Sequence, residues 1–271
     1  ELAWRQWTVL GVAGVAPPPA HAIDLEALVA FMPFVANADP RLGDEALDWY
    51  VRIGPRFVAR SRLRTLVALM PGVAASVAPS FPTLELAQSK ASLRTRLSQK
   101  SRAPRLDAPV LVQLRSRQIF GVGARADVIA ALVSQRRIEP VRISSIGLVG
   151  YTKPAVATVL DDLASVGVLR KWSSGNAAHY LLEKPGPLRA LLDPVPPAPP
   201  SWAHRLALVA VVLDTWRRFG ERRTYAVELA KALERARPLT VGLVHEPPPV
   251  LARPRTLVAD VSAWAMRLLE A

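Results

Sequence analysis

The chain has 271 residues, 51% hydrophobic and 21% charged, which allows one large domain or two to three small ones with an ordinary core and excludes a disordered chain. It has no cysteine, so disulfides, thiolate metal sites and a cysteine nucleophile are excluded, and it has no uncharged apolar run long enough to predict a transmembrane helix. The net charge of +13 is uneven: residues 1–89 carry 7 basic and 8 acidic side chains, residues 90–190 carry 17 and 6, and residues 191–271 carry 11 and 8. A basic middle third between near-neutral flanks is the pattern expected for a polyanionic partner. Only six of the 35 basic residues are Lys. Composition bias can explain that preference for Arg, but not the local scarcity of acids.

At the start of the chain, Arg5, the apolar residues 7–16 and Ala20-His21-Ala22 loosely resemble a secretion signal. The short run and the three prolines after it favour an apolar strand or arm packed on the first domain, and the expected location is cytoplasmic. Asp24 can cap a helix over residues 25–31, which Pro33 should break. Asp39-Pro40 opens a second, with Leu42, Ala46, Leu47 and Tyr50 at helical spacing until Gly54-Pro55. Residues 61–70 give a third, ending at Pro71-Gly72. Residues 84–101 read as a basic amphipathic helix, with Leu86, Leu93 and Leu97 opposed to Lys90, Arg94, Arg96 and Lys100. It is either a second contact for a polyanion or a solvated linker helix.

The central segment carries the most specific pattern. Residues 124–134 form a helix with Val128, Ile129, Leu132 and Val133 on one face, and residues 142–149 a short second one with Ile143, Ile146 and Val149 as its stripe. Gly150-Tyr151-Thr152 is a tight turn that Tyr151 staples, Thr152 caps a third helix over residues 152–166, Pro154 falls in its first turn and Gly167 ends it. Residues 168–172 and 177–182 read as two strands joined at Ser173-Ser174-Gly175-Asn176, with Trp172 and Tyr180 in the hairpin core. Beyond it, residues 192–200 hold five prolines and form a linker, followed by helices over residues 202–219, 224–236 (capped by Thr224) and 257–269.

Gly150-Tyr151-Thr152-Lys153 and the run from Leu160-Asp161-Asp162-Leu163 to Gly167-Val168-Leu169-Arg170 resemble winged-helix transcriptional regulators of the MarR and ArsR type. Ile119-Phe120-Gly121 ahead of Ala124-Arg125-Ala126 is similar to the entry into winged helices found beside minimal nucleotidyltransferases. The resemblance covers about a quarter of the chain, residues 119–183. It implies a mainly α, multi-helix protein with a central winged helix-turn-helix of three helices plus a β-hairpin wing. The expected organisation is an N-terminal helical domain (1–83), a basic helix and linker (84–118), the winged helix (119–190), a Pro-rich linker (191–200) and a C-terminal helical region (201–271).

In that geometry Thr152, Lys153, Ala155 and Thr158 would enter the major groove of double-stranded DNA. Wing residues Arg170, Lys171, Ser174 and Asn176, with His179, would meet backbone or minor groove, and Arg125, Arg136, Arg137 and Arg142 would neutralise flanking phosphates. Asp161 and Asp162 are expected in the helix's C-terminal half, away from the groove. Gly147 inside the second helix costs about 1 kcal/mol relative to Ala. The expected function is a DNA-binding transcriptional regulator, as a homodimer. The alternative is a protein-interaction or antitoxin-like partner, for example of a nucleotidyltransferase, in which the winged helix is a docking module.

No enzyme, metal or cofactor is expected. His21, His179, His204 and His245 lie far apart without metal-ligand spacing, Gly121-Val122-Gly123 lacks the rest of a phosphate loop, and the nucleotidyltransferase signature is absent. The acidic pairs Asp44/Asp48 and Asp161/Asp162 read as ordinary helix-surface residues.

Overall fold

The computed structural model describes residues 1–70, 97–135, 137–146, 148–196, 201–241, 243, 247–248 and 256–270. The protein is mainly helical with a small two-stranded sheet.

Its start is a helix, α1 (Leu2–Val9), rather than the expected strand or arm. Trp7 and Leu10 are fully buried, Trp7 Nε1 donates to the Met32 sulfur at 2.8 Å, and Trp49 Nε1 donates to the Leu10 carbonyl at 2.5 Å. α2 (Leu25–Ala38) starts where Asp24 Oδ1 accepts from the Ala27 N–H, and it continues through Pro33 instead of stopping there. A proline inside a helix costs about 3 kcal/mol. Burial of Leu25, Leu28, Val29, Phe31 and Met32, each worth roughly 1.5–3 kcal/mol, outweighs that cost. α3 (Pro40–Arg52) is capped by Asp39, whose Oδ1 accepts from the Leu42 N–H and whose Oδ2 accepts from Trp4 Nε1. α4 (Arg60–Leu69) follows a 3-10 turn over Gly54–Arg56.

Most of the predicted basic helix, residues 84–96, lies outside the described residues. Its last residues, 97–101, are not helical. The carboxylate of Asp48 takes the backbone N–H groups of Gln99 and Ser101, which a helix would need for itself. Asp48 is therefore fully buried, not the surface residue that its place in an acidic pair suggested.

α5 (Val112–Phe120) and α6 (Ala124–Val133) are joined across Gly121 and Gly123. α7 (Lys153–Ser165), β1 (Leu169–Ser174) and β2 (Ala177–Leu182) come next, the strands pairing antiparallel from Leu169 opposite Leu182 to Ser174 opposite Ala177. The chain ends with α8 (Pro185–Leu192), α9 (Trp202–Phe219), α10 (Tyr225–Arg235) and α11 (Leu257–Leu269). Thr224 stands at the head of α10 with helical dihedrals, φ −83° and ψ −3°, and its side chain makes no cap hydrogen bond. A capping side chain needs the extended backbone that Thr152 and Asp24 have.

The expected second helix of the central segment is absent: residues 142–149, where described, are turns and bends. Ser145 Oγ accepts from the Arg142 N–H at 2.8 Å and donates to the Arg142 carbonyl at 3.0 Å, closing a local turn that competes with helix. Upstream, Val141 exchanges two backbone hydrogen bonds with Tyr180, which adds a one-residue bridge to the hairpin. The apolar stripe is used without a helix, since Ile143 and Ile146 pack on the core beneath them.

Two hydrophobic cores result. The first joins α1–α4 to α9, α10 and α11 through Trp7, Leu28, Trp49, Leu66, Leu208 and Trp264, so the two ends of the chain share one interior. The second lies among α6, α7, the hairpin and α8, around Val128, Leu132, Val156, Leu160, Tyr180 and Leu192.

Between them runs a buried network of charges. Arg117 of α5 donates to both carboxylate oxygens of Glu26 on α2 (2.6 and 2.8 Å), to both of Asp127 on α6 (2.8 and 2.6 Å), and to the Phe57 carbonyl. Arg62 of α4 binds both oxygens of Asp24, one oxygen of Glu26, and the Val149 carbonyl. Burial by itself would raise the Glu26 carboxyl, but Arg117, Arg62 and the Ala59 N–H outweigh it and hold the group at about 2 against an ordinary 4.5. The unfolded chain therefore binds the extra proton first. Stability from this carboxylate is complete above pH 4.5 and is lost as pH falls toward 2, in total about 3 kcal/mol. Glu26→Gln should cost roughly 3–5 kcal/mol at pH 7 by breaking the buried ion pairs that Glu26 makes with Arg117 and Arg62. In urea unfolding between pH 7 and pH 2.5, the gap between variant and parent should narrow below pH 4.5. A gap independent of pH would contradict the assignment.

Candidate nucleic-acid interface

The start of α7 is built by three local choices. Gly150 takes φ +95°, a region that glycine enters without strain, and turns the chain. Tyr151 OH donates to Asp127 Oδ2 at 2.9 Å, and the Tyr151 ring lies 5.6 Å from the Arg62 guanidinium. Burial and the neighbouring Asp127 charge push the Tyr151 phenol well up, so it stays a hydrogen-bond donor. Thr152, extended at ψ 148°, then accepts from the Ala155 N–H at 3.3 Å and opens the helix.

α7 is two-faced. Val156, Val159 and Leu160 are buried in the second core, while Thr152, Lys153, Pro154 and Thr158 are exposed. Ala155 is half-buried. The Thr158 hydroxyl donates to the Pro154 carbonyl at 3.0 Å, so only its acceptor capacity faces outward. Asp161 and Asp162 stand in the C-terminal half of the helix, and each holds a cation. Asp161 accepts from Lys171 Nζ at 2.6 Å and from Tyr180 OH at 2.7 Å, and Asp162 accepts from Arg125 at 2.8 Å. Hydrogen bonds from Lys171 and Tyr180 lower the Asp161 carboxyl, and the Asp161 bond in turn raises the Lys171 ammonium.

The hairpin divides its residues by parity. Leu169, Tyr180 and Leu182 face the core, as expected for Tyr180. Trp172 does not join them. It pairs across the ladder with His179 on the opposite face, their rings stacked at 5.5 Å and 15°, with the Arg170 guanidinium 5.5 Å from the indole. A strand puts alternate residues on opposite faces. With Leu169 inward, Arg170 and Trp172 must point outward. Arg170 also pairs with Glu183 at 3.3 Å. Ser174 and Asn176 are exposed at the tip, on either side of Gly175 at φ +58°.

Comparison with family models, curated proteins and solved structures gives no match to this chain.

Of the residues singled out in the sequence, Arg125, Arg170 and Lys171 are therefore engaged by Asp162, Glu183 and Asp161. Lys153, Arg137 and Arg142 are exposed and have no ion pair among the described residues. Arg136 and Gly147 lie outside them. What the sequence reading missed is the support beneath: Arg62, Arg117, Asp127 and Glu26 look like any helix-surface charges when only spacing is read. One signal was available. Glu26 is the only charge in the run Leu25-Glu26-Ala27-Leu28-Val29-Ala30-Phe31-Met32, and a lone carboxylate in such a run must be buried with a partner.

A methyl group at Gly150 would meet Arg62 Cγ at 2.8 Å, whereas one at Gly175 would meet nothing within 4 Å. Gly175→Ala should cost roughly 1–2 kcal/mol, from the left-handed backbone alone. Gly150→Ala should cost at least about 1 kcal/mol more, because Arg62 has to move. Urea midpoints compare them, and equal losses would show that Arg62 yields freely.

Proposed function

We propose that the chain is a DNA-binding transcriptional regulator in which α6, the turns after it, α7 and the hairpin act as a winged helix-turn-helix. The observation that carries this reading is the uncovered first turn of α7, with Thr152, Lys153 and Thr158 exposed while the other face is buried in the second core. A helix used as internal scaffolding would be covered on both sides. The bridge between Val141 and Tyr180 supports the reading, because it ties the segment before the turns to the hairpin. The charge of the middle third supports a polyanionic partner.

In this reading α7 enters the major groove of double-stranded DNA through its first turn, and β1–β2 is the wing that meets the adjoining backbone. Lys153 supplies a phosphate or base-edge contact, and Arg137 and Arg142 supply phosphate contacts. Few side chains read bases, so sequence specificity depends on a homodimer that doubles the readout. The exposed ion pairs of Arg125 and Lys171 are individually weak and can be exchanged for phosphate.

A second reading is a protein-docking role, as an antitoxin-like partner. It is favoured by the 62% exposure of Trp216 on α9 and by the acids that already occupy three of the expected phosphate-binding cations.

Fluorescence anisotropy of the full chain on the duplex upstream of its own gene and on a scrambled duplex, over several salt concentrations, separates the two. Lys153→Ala should weaken binding and lower the salt slope by about 1. Asp162→Asn, which releases Arg125, should tighten binding up to about fivefold at low salt. Absence of binding to either duplex at low salt would overturn the regulator reading and leave the docking role.

A further inference from the structure

A cavity of about 300 Å³ lies where the two cores meet. That is the lower end of the range for small-molecule sites. Its apolar wall is formed by Ile23, Val112, Ala130, Ile146, Leu148 and Trp202. Its polar wall is formed by Asp24, Arg62, Gln113 and Asp127, members of the buried charge network, together with Ser134. Ser134 is 3% exposed, and its hydroxyl has no hydrogen-bond partner among the described residues.

The charge of the wall selects the ligand. In the wall itself Asp24 and Asp127 stand with Arg62, which leaves one negative charge in excess. An anion would be repelled, and a purely apolar molecule would gain nothing from that excess charge. We infer that this cavity binds a small organic amine, its ammonium directed to Asp24 and its apolar body packed against Val112, Leu148 and Trp202. The same wall reaches the start of α7, because Arg62 holds the Val149 carbonyl and Asp127 holds the Tyr151 hydroxyl. An occupant of the cavity therefore touches the groups that set that turn. The binding site itself does not depend on the chain being a DNA-binding protein.

The test uses the full chain without DNA. Saturation-transfer NMR and calorimetry are run with phenethylamine, with 2-phenylethanol of the same shape but no charge, and with 3-phenylpropionate of opposite charge. Phenethylamine should bind saturably with Kd on the order of 1 mM, as befits its size. The alcohol should bind at least about tenfold more weakly, and the carboxylate should not bind. Ser134→Leu, which fills the cavity from α6, should abolish binding while circular dichroism and melting stay near the parent's. Should that variant fail to fold, Ala131→Leu on the same wall takes its place. Equal binding of amine and alcohol, preference for the carboxylate, no saturable binding of the amine, or binding that survives both fillings in folded protein would overturn the proposal.

Discussion

The Arg117 guanidinium sets how the two halves of the molecule meet. All five of its N–H donors are used: two on Glu26, two on Asp127 and one on the Phe57 carbonyl. Glu26 belongs to the long apolar helix of the first core, and Asp127 to the first helix of the second. A Lys could not make this planar, doubly bidentate link. Two charges removed from water gain little net stability over a packed apolar pair. What the fork supplies is directional, since each carboxylate is gripped in one orientation. Apolar faces can slide over one another, but a fork with every donor filled leaves one arrangement in which no buried charge is orphaned.

The rest of the central segment hangs from that link. Asp127 accepts from Arg117, from Gln113 and from Tyr151, and Gln113 in turn accepts from the Leu25 N–H at the head of α2. Arg62 adds a second tie through the Val149 carbonyl. The turn before α7 is thus fixed at Val149 and Tyr151, and Thr152 starts the helix from a defined place. This also explains how residues 142–149 do without a helix. Backbone groups that a helix would have paired are answered individually by Ser145, Tyr180 and Arg62.

Periodicity and capping chemistry were legible, and they recovered α2 through its Asp24 cap, α3 from Asp39-Pro40, α7 from Thr152 and Pro154, and the hairpin from Gly175. The misreadings share one cause. Local rules ignore what tertiary packing offers in exchange. Pro33 did not stop α2 because its surroundings are buried, Ser145 turned a helical stripe into a looped one, and Asp48 was drawn inward by the backbone of residues 99 and 101. Trp172 is expected in the hairpin core, but strand parity turns it outward once Leu169 faces in. At the candidate interface the sequence could list cations. It could not tell which ones an acid already holds, because Arg125 and Asp162 are 37 positions apart.

That last point separates two uses of charge. Pairing Arg125 with Asp162, Lys171 with Asp161 and Arg170 with Glu183 leaves the net charge of the middle third unchanged, because those acids were counted against it from the start. At distances beyond a Debye length of about 8 Å the field is screened whichever cations are paired, and near that distance it is the net charge that a polyanion meets. Contact is different, because a phosphate at hydrogen-bonding distance competes with a carboxylate for the same N–H. Under the proposed reading, approach is governed by the whole basic segment, and the first contacts fall to Lys153, Arg137 and Arg142, which hold no acid among the described residues. Asp161 and Asp162 are then competitors for the same donors. They hold Arg125 and Lys171 until a phosphate displaces the carboxylate, and the exchange costs little because each exposed pair is weak.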